Sequence, residues 1–204
     1  VIKIYKIERY FMKTLKNSSV PNICDAGAMV LKDIKPINPA QKLIIGEAIT
    51  VNTTDDDWGA PIKAIAQSKN KIIVVNVRGN DRAIWGGLAT LNAKIKGVKG
   101  VIINGSVRDI EELQKLNFPI FSKSFRPNAG APLNYGKINI PITIENVQIN
   151  PNDIIVGDCN GVAIIKKEEL NNIIENVKNI KKKEESIKNK IMRGMDLKDI
   201  LKLE

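Results

Sequence analysis

Histidine is absent from this chain, and that absence removes a Ser-His-Asp or Cys-His triad, an imidazole general base and the usual His-ligated catalytic zinc site. Catalysis, if there is any, must run on carboxylates, arginine, lysine, backbone amides, water or a hard metal. Cysteine is nearly absent too. Cys24 and Cys159 are the two, far apart and without CxxC spacing, so they read as two reduced, buried thiols and not as a metal or redox site. Aromatic residues make up 4% of the chain, and no basic run is interleaved with them as a nucleic-acid stacking platform requires. No apolar run reaches membrane-spanning length and no signal-peptide pattern is present. These absences predict a soluble cytoplasmic protein with no membrane partner.

What is abundant is positive charge. The formal net charge is +10 over 204 residues, but more than half of that excess lies in the first 20 and the last 39 residues. A solvated, lysine-rich surface explains such a spread better than a nucleic-acid site does. The length suits one domain with a substantial core and is short for two.

The informative stretch is Gly86 to Asp109, GGLATLNAKIKGVKGVIINGSVRD. A glycine pair opens a helix carrying Leu88, Leu91 and Ile95 at helical spacing; Gly97 and Gly100 then lead into the apolar strand Val101 to Ile103. The first amides of that helix, Gly86 to Ala89, lack intrahelical partners and sit at the positive end of the macrodipole, a natural seat for a carboxylate or phosphate. After the strand, Gly105 and Ser106 are expected to turn the chain into Arg108 and Asp109. An arginine fork suits a planar oxyanion, and an aspartate suits a hard divalent cation. If helix and strand pack side by side, the two ends share one cleft.

Around this stretch the pattern predicts a basic amphipathic helix over 1–17 and a second helix from Val20 to Leu31, capped by Ser18 or Ser19. A strand follows at Leu43 to Val51, then an acidic turn, Asn52 to Asp57, before a helix from Trp58 to Gln67. Capping and solvent exposure account for Asp55, Asp56 and Asp57 more simply than metal binding does. Ile72 to Val77 reads as a strand buried on both faces, followed by a polar loop with Asp81, a helix at Ile110 to Leu116 and a strand at Pro119 to Ser122. The alternation of strands and helices argues for parallel α/β structure with ligands at the C-terminal strand edges. Residues 125–135 form a Pro/Gly/Asn-rich loop, 138–165 are β-rich, and a charged helix from Glu168 to Met192 and a short last helix close the chain. This is one domain: an N-terminal helix over 1–19, an α/β core over 20–165 and C-terminal helices over 166–204.

The order and spacing of CDAG (Cys24–Gly27), WGGLA (Trp85–Ala89), GSVRD (Gly105–Asp109), FPIFSKS (Phe118–Ser124) and VGDCNGV (Val156–Val162) resemble the RraA-like family. That family contains the regulators of ribonuclease activity A and the class II 4-hydroxy-4-methyl-2-oxoglutarate aldolases. The resemblance implies a swivelling three-layer β/β/α fold, with extra N- and C-terminal helices here, assembling as a trimer or a dimer of trimers with sites between subunits. It implies that backbone amides of Gly86, Gly87, Leu88 and Ala89 hold a substrate carboxylate, that Arg108 contacts the 2-oxo acid, and that Asp109 coordinates Mg2+ or Mn2+. Position 87 departs from the pattern, since many relatives carry an acid there, close to the metal's water shell.

The implied chemistry is metal-assisted C–C cleavage through a pyruvate enolate, as 4-hydroxy-4-methyl-2-oxoglutarate-type aldolase, oxaloacetate decarboxylase or both. Proton transfer would go by water, positioned by Asp81 or by an acid from a neighbouring subunit. The other reading is a non-catalytic regulator that binds a ribonuclease or another protein partner.

Overall fold

The computed structural model describes residues 13–203. The helix expected over 1–17 therefore lies mostly outside the described residues; within them, residues 13–16 are helical and Leu15 is buried. The chain then runs through α1 (Val20–Asp25), β1 (Met29–Leu31), β2 (Lys35–Pro36), β3 (Ile44–Thr54), α2 (Gly59–Ile65), β4 (Ile72–Arg78), β5 (Ala83–Trp85), α3 (Gly87–Ile95), β6 (Gly100–Val107), α4 (Ile110–Leu116) and β7 (Ile120–Phe125). It continues through β8 (Lys137–Ile138), β9 (Ile142–Ile144), β10 (Val147–Ile149), β11 (Ile154–Asp158), β12 (Gly161–Ile165), α5 (Leu170–Met192) and α6 (Leu197–Leu201).

The strands order as β1-β12-β11-β3-β4-β6-β7-β2, with β5 added on β6, β8 on β3, and β9-β10 a separate hairpin. The long β3 serves two sheets. Ile44 to Glu47 pair antiparallel with β11, whereas Ala48 to Thr54 pair parallel with β4. One strand thus joins an antiparallel sheet to a mainly parallel one.

Period-2 alternation then sorts side chains into three cores. Ile73, Val75, Val101 and Ile103 point from the parallel sheet toward α2, α3 and α4, meeting Ala60, Ala64, Ala93 and Leu113. Their sequence neighbours Ile72, Val74 and Ile102 point the other way and meet Ile155, Val162 and Ile164 of the antiparallel sheet, with Phe121 among them. On the outer face of the antiparallel sheet, Ile154, Val156, Ala163 and Ile165 pack against Ile23 of α1 and Ile173, Ile174 and Val177 of α5. The expected β/β/α layering is present, with the terminal helices forming an outer cover. The continuous apolar runs of β4 and β6 follow from this, because both of their faces are core.

Several boundaries differ from expectation. The helix read from Val20 to Leu31 stops at Asp25: Gly27 adopts φ +107°, a left-handed backbone that ends the helix, and Met29 to Leu31 pair with β12. At the other end Ser19 caps α1 in a capping box with Asn22. Gly105 and Ser106 do not turn the chain; they lie inside β6, where Ser106 is buried between Asn80 and Ser124. The apolar stripe of α3 faces outward: Leu88 is 84% and Ile95 73% exposed, while Gly87, Thr90 and Ala93 face the core. Cys159 is exposed and Cys24 half-buried, so the thiols are unpaired and, against expectation, neither is buried.

Candidate active site

β4, β6 and β7 run parallel, so their C-terminal ends share an edge. The three-residue strand β5 is laid along the end of β6, with Ala83 opposite Ser106 and Trp85 opposite Val107. The Arg108 amide then donates to the Trp85 carbonyl at 3.0 Å. This lateral pairing brings the start of α3 and the start of α4 together, although they are more than twenty residues apart in the chain.

At the junction the Gly87 N–H donates to Asp109 Oδ2 at 3.0 Å, and Arg108 Nε lies 3.7 Å from the same oxygen. Asp109 adopts φ 62°, ψ 40° at the N-cap of α4, a left-handed conformation that costs a non-glycine residue about 1 kcal/mol or more. That turn points its carboxylate back at α3 instead of letting it cap its own helix. A Cβ on Gly86 would stand 2.5 Å from Asp109 Oδ2, and one on Gly87 would fall among the carboxylate atoms of Glu112. The side-chain space at position 87 is thus filled by an acid from α4. Gly86 makes no side-chain cap, so the amides of Leu88 and Ala89 have no acceptor within the helix. Trp85 is buried, and its indole N–H donates to Thr90 Oγ1 at 2.8 Å, which in turn donates to the Gly86 carbonyl at 2.9 Å. This relay fixes the first turn of α3.

A cleft of about 390 Å³ opens here, lined by Trp58, Ile62, Trp85, Gly86, Gly87, Leu88, Ala89, Asn92, Arg108, Asp109, Glu112 and Ala129 among others. The loop after β7 contributes Ala129 to this lining and is held by Asp57. This carboxylate is fully buried and accepts N–H groups from Gly59 at 2.7 Å, Asn134 at 2.8 Å, Tyr135 at 2.8 Å and Gly136 at 3.0 Å, with the Thr53 hydroxyl at 3.2 Å. Burial pushes the Asp57 carboxyl up, but the four backbone donors outweigh it and hold the group below its ordinary value. The Trp58 indole N–H donates to the Gly130 carbonyl at 2.9 Å and the Ala83 amide to the Asn128 carbonyl at 2.8 Å, pinning the same loop.

Of the residues singled out from sequence, Gly86, Gly87, Leu88, Ala89, Arg108 and Asp109 share this cleft. Asp81 is not among its lining residues. It is exposed on the loop after β4, its amide donating to Asp55 Oδ2 at 2.8 Å, and Asp56 pairs with Arg82. The acidic turn thus organises loops: capping and solvent exposure were expected of it, and Asp56 is indeed exposed, but α2 has no side-chain cap and Asp57 is buried, its carboxylate holding the loop after β7. Glu112 was overlooked, because an acid in a helix's first turn is ordinarily explained by the dipole alone. Its spacing of three from Asp109 was the available signal, since residues i and i+3 share a helix face.

Among the described residues no group of three or more His, Cys, Asp or Glu side chains converges to hold a metal. A cation in this cleft would take one protein carboxylate, Asp109, and fill its shell with water and ligand oxygens, an arrangement suited to Mg2+ or Mn2+ and not to zinc. No described helix is long and apolar enough to cross a membrane.

Residues 20–164 match the family model described as RraA-like, Aldolase/RraA. An uncharacterized protein of Methanocaldococcus jannaschii is 59% identical over 95% of this chain and 94% of its own length. A protein of Halalkalibacterium halodurans that bears the name "Putative 4-hydroxy-4-methyl-2-oxoglutarate aldolase" is 33% identical over 81% of this chain and 80% of its own. Among solved structures, an uncharacterized protein from Pseudomonas syringae pv. tomato superposes with a TM-score of 0.80 at 23% identity, covering 94% of this chain and 96% of that one. The RNA-processing inhibitor RraA from Thermus thermophilis gives 0.66 at 21% identity over 73% and 93%. At such identities these structures establish the fold.

Proposed function

The chain belongs to the RraA-like family, and from that premise we propose that it is a divalent-metal-dependent lyase acting on small 2-oxo acids through the enolate of pyruvate. The observation that carries this reading is the meeting of Arg108, Asp109 and the first turn of α3 in one cleft. The amides of Leu88 and Ala89 grip the substrate carboxylate, aided by the helix dipole. Arg108 donates to the 2-oxo oxygen as negative charge gathers on it. Asp109 is the carboxylate that holds Mg2+ or Mn2+, which when bound supplies a Lewis acid for the same oxygen. Trp58, Ile62 and Trp85 give the cleft an apolar wall that limits water around the reacting atoms. Retro-aldol cleavage of a 4-hydroxy-2-oxo acid and decarboxylation of oxaloacetate pass through the same enolate, so one cleft serves both. The working form is a homo-oligomer, a trimer or a dimer of trimers, which light scattering after gel filtration would measure.

A coupled lactate dehydrogenase assay for pyruvate from oxaloacetate and from 4-hydroxy-4-methyl-2-oxoglutarate, with Mg2+, Mn2+ or chelator, tests the reading. Arg108→Ala is expected to abolish turnover, and Asp109→Asn to abolish the response to metal. Full activity of either variant refutes the assignment. The alternative is a regulator that binds a ribonuclease or another protein. The exposed Leu88 and Ile95 beside the cleft favour it, and absence of turnover with every metal would establish its precedence.

A further inference from the structure

Three charged residues line the cleft among the described residues: Arg108, Asp109 and Glu112. Two of them are engaged, since Asp109 Oδ2 accepts the Gly87 N–H and lies closest to Arg108 Nε. Glu112 is different. Its carboxylate takes no hydrogen bond or ion pair among the described residues, yet it reaches across from α4 to stand over the first turn of α3, in the volume a side chain at Gly87 would occupy. A carboxylate at that place with no partner to lose can accept a proton and release it without breaking a contact.

We propose that Glu112 is the proton carrier of this cleft, receiving the hydroxyl proton of a 4-hydroxy-2-oxo acid and delivering it to the enolate carbon. The inference rests on the lyase reading above. As the bond between C3 and C4 breaks, the Glu112 carboxylate takes the proton of the 4-hydroxyl. The hydroxyl-bearing carbon then leaves as a carbonyl compound, and the bonding electron pair stays on C3 as the enolate. Glu112 returns the proton to C3, giving the methyl group of pyruvate and regenerating its carboxylate. Decarboxylation of oxaloacetate asks nothing of Glu112 as a base, because CO2 departs without loss of a hydroxyl proton, and the enolate left behind takes its proton at C3 from solvent water.

The asymmetry between the two reactions is the test. Glu112→Gln in the full chain is expected to lower kcat for 4-hydroxy-4-methyl-2-oxoglutarate about 100-fold or more, with KM little changed. Oxaloacetate decarboxylation should fall far less. In the pH profile of aldol cleavage the acid limb should flatten, Arg108 and Asp109 being the other charged groups that face Glu112 in the cleft. Mn2+ titration followed by electron paramagnetic resonance should show metal affinity retained in Glu112→Gln and lost in Asp109→Asn, and thermal melts should be unchanged. Moving the acid should restore turnover: Glu112→Ala inactive, Glu112→Ala with Gly87→Glu active. An active wild type with an unimpaired Glu112→Gln variant overturns this inference and leaves the lyase reading intact. Loss of Mn2+ binding in Glu112→Gln also overturns it, by making Glu112 a metal ligand. A well-folded wild type inert on both substrates with both metals removes the lyase reading itself and this inference with it.

Discussion

At the scale of single residues, Asp57 shows how a buried charge can be the stable choice. Four backbone donors from two segments and one hydroxyl converge on its carboxylate, so replacing it by an amide would set N–H against N–H. Asp57→Asn is expected to cost about 2–3 kcal/mol, read as a lower urea midpoint with unchanged m-value. Its folded pKa lies below the ordinary carboxylate value. The contribution is therefore complete above the unfolded-state pKa of about 3.9 and disappears as pH falls through the folded value. The gap between wild type and variant should be constant from pH 7 to about 5 and should narrow below about pH 4, which denaturation at stepped pH would check. Much of the candidate site's geometry was legible in advance: WGGLA and VRD announced a helix start and an arginine-aspartate pair, and both line one cleft. Glu112 was hidden because the feature that gives it meaning, its carboxylate standing where a side chain at Gly87 would be, depends on how α3 and α4 cross.

Single elements were legible where both faces had one fate and obscure where they did not. β4 and β6 are buried on both sides, so their unbroken apolar runs allow one reading. Met29 to Leu31, three apolar residues after a helix, fit helical or extended backbone equally well, and the left-handed Gly27 decides between them. α3 misleads in the opposite direction. Its large apolar residues form the stripe a buried helix would show, but small side chains at Gly87, Thr90 and Ala93 bring the helix close to the sheet and leave the large ones outside. The consequence is measurable. Ile95→Lys should leave the stability of the isolated subunit within about 0.5 kcal/mol, whereas Ala93→Leu, which adds volume where there is none to spare, should cost about 1–3 kcal/mol in chemical denaturation. If Ile95→Lys also lowers the molecular mass in light scattering, the stripe is a subunit contact.

Across the whole molecule, the cleft and the long C-terminal helix lie on opposite sides of the paired sheets. The cleft's Trp58, Ile62 and Trp85 belong to the core beneath α2, α3 and α4, whereas α5 buries Ile173, Ile174 and Val177 against the antiparallel sheet. Ile174→Ala should therefore reduce stability by about 2–5 kcal/mol with kcat/KM preserved at 25 °C, a separation that paired melting and kinetic measurements would reveal. The two-sheet arrangement was legible only through family resemblance, because alternation assigns faces to a strand without saying which sheet receives them. β3 is the element through which that question is resolved, and its double membership governs how the molecule comes apart. Neither sheet can unravel without stripping a neighbour from the other, so amide deuterium uptake at Ala48 to Val51 should track global opening while the rim of the cleft exchanges sooner.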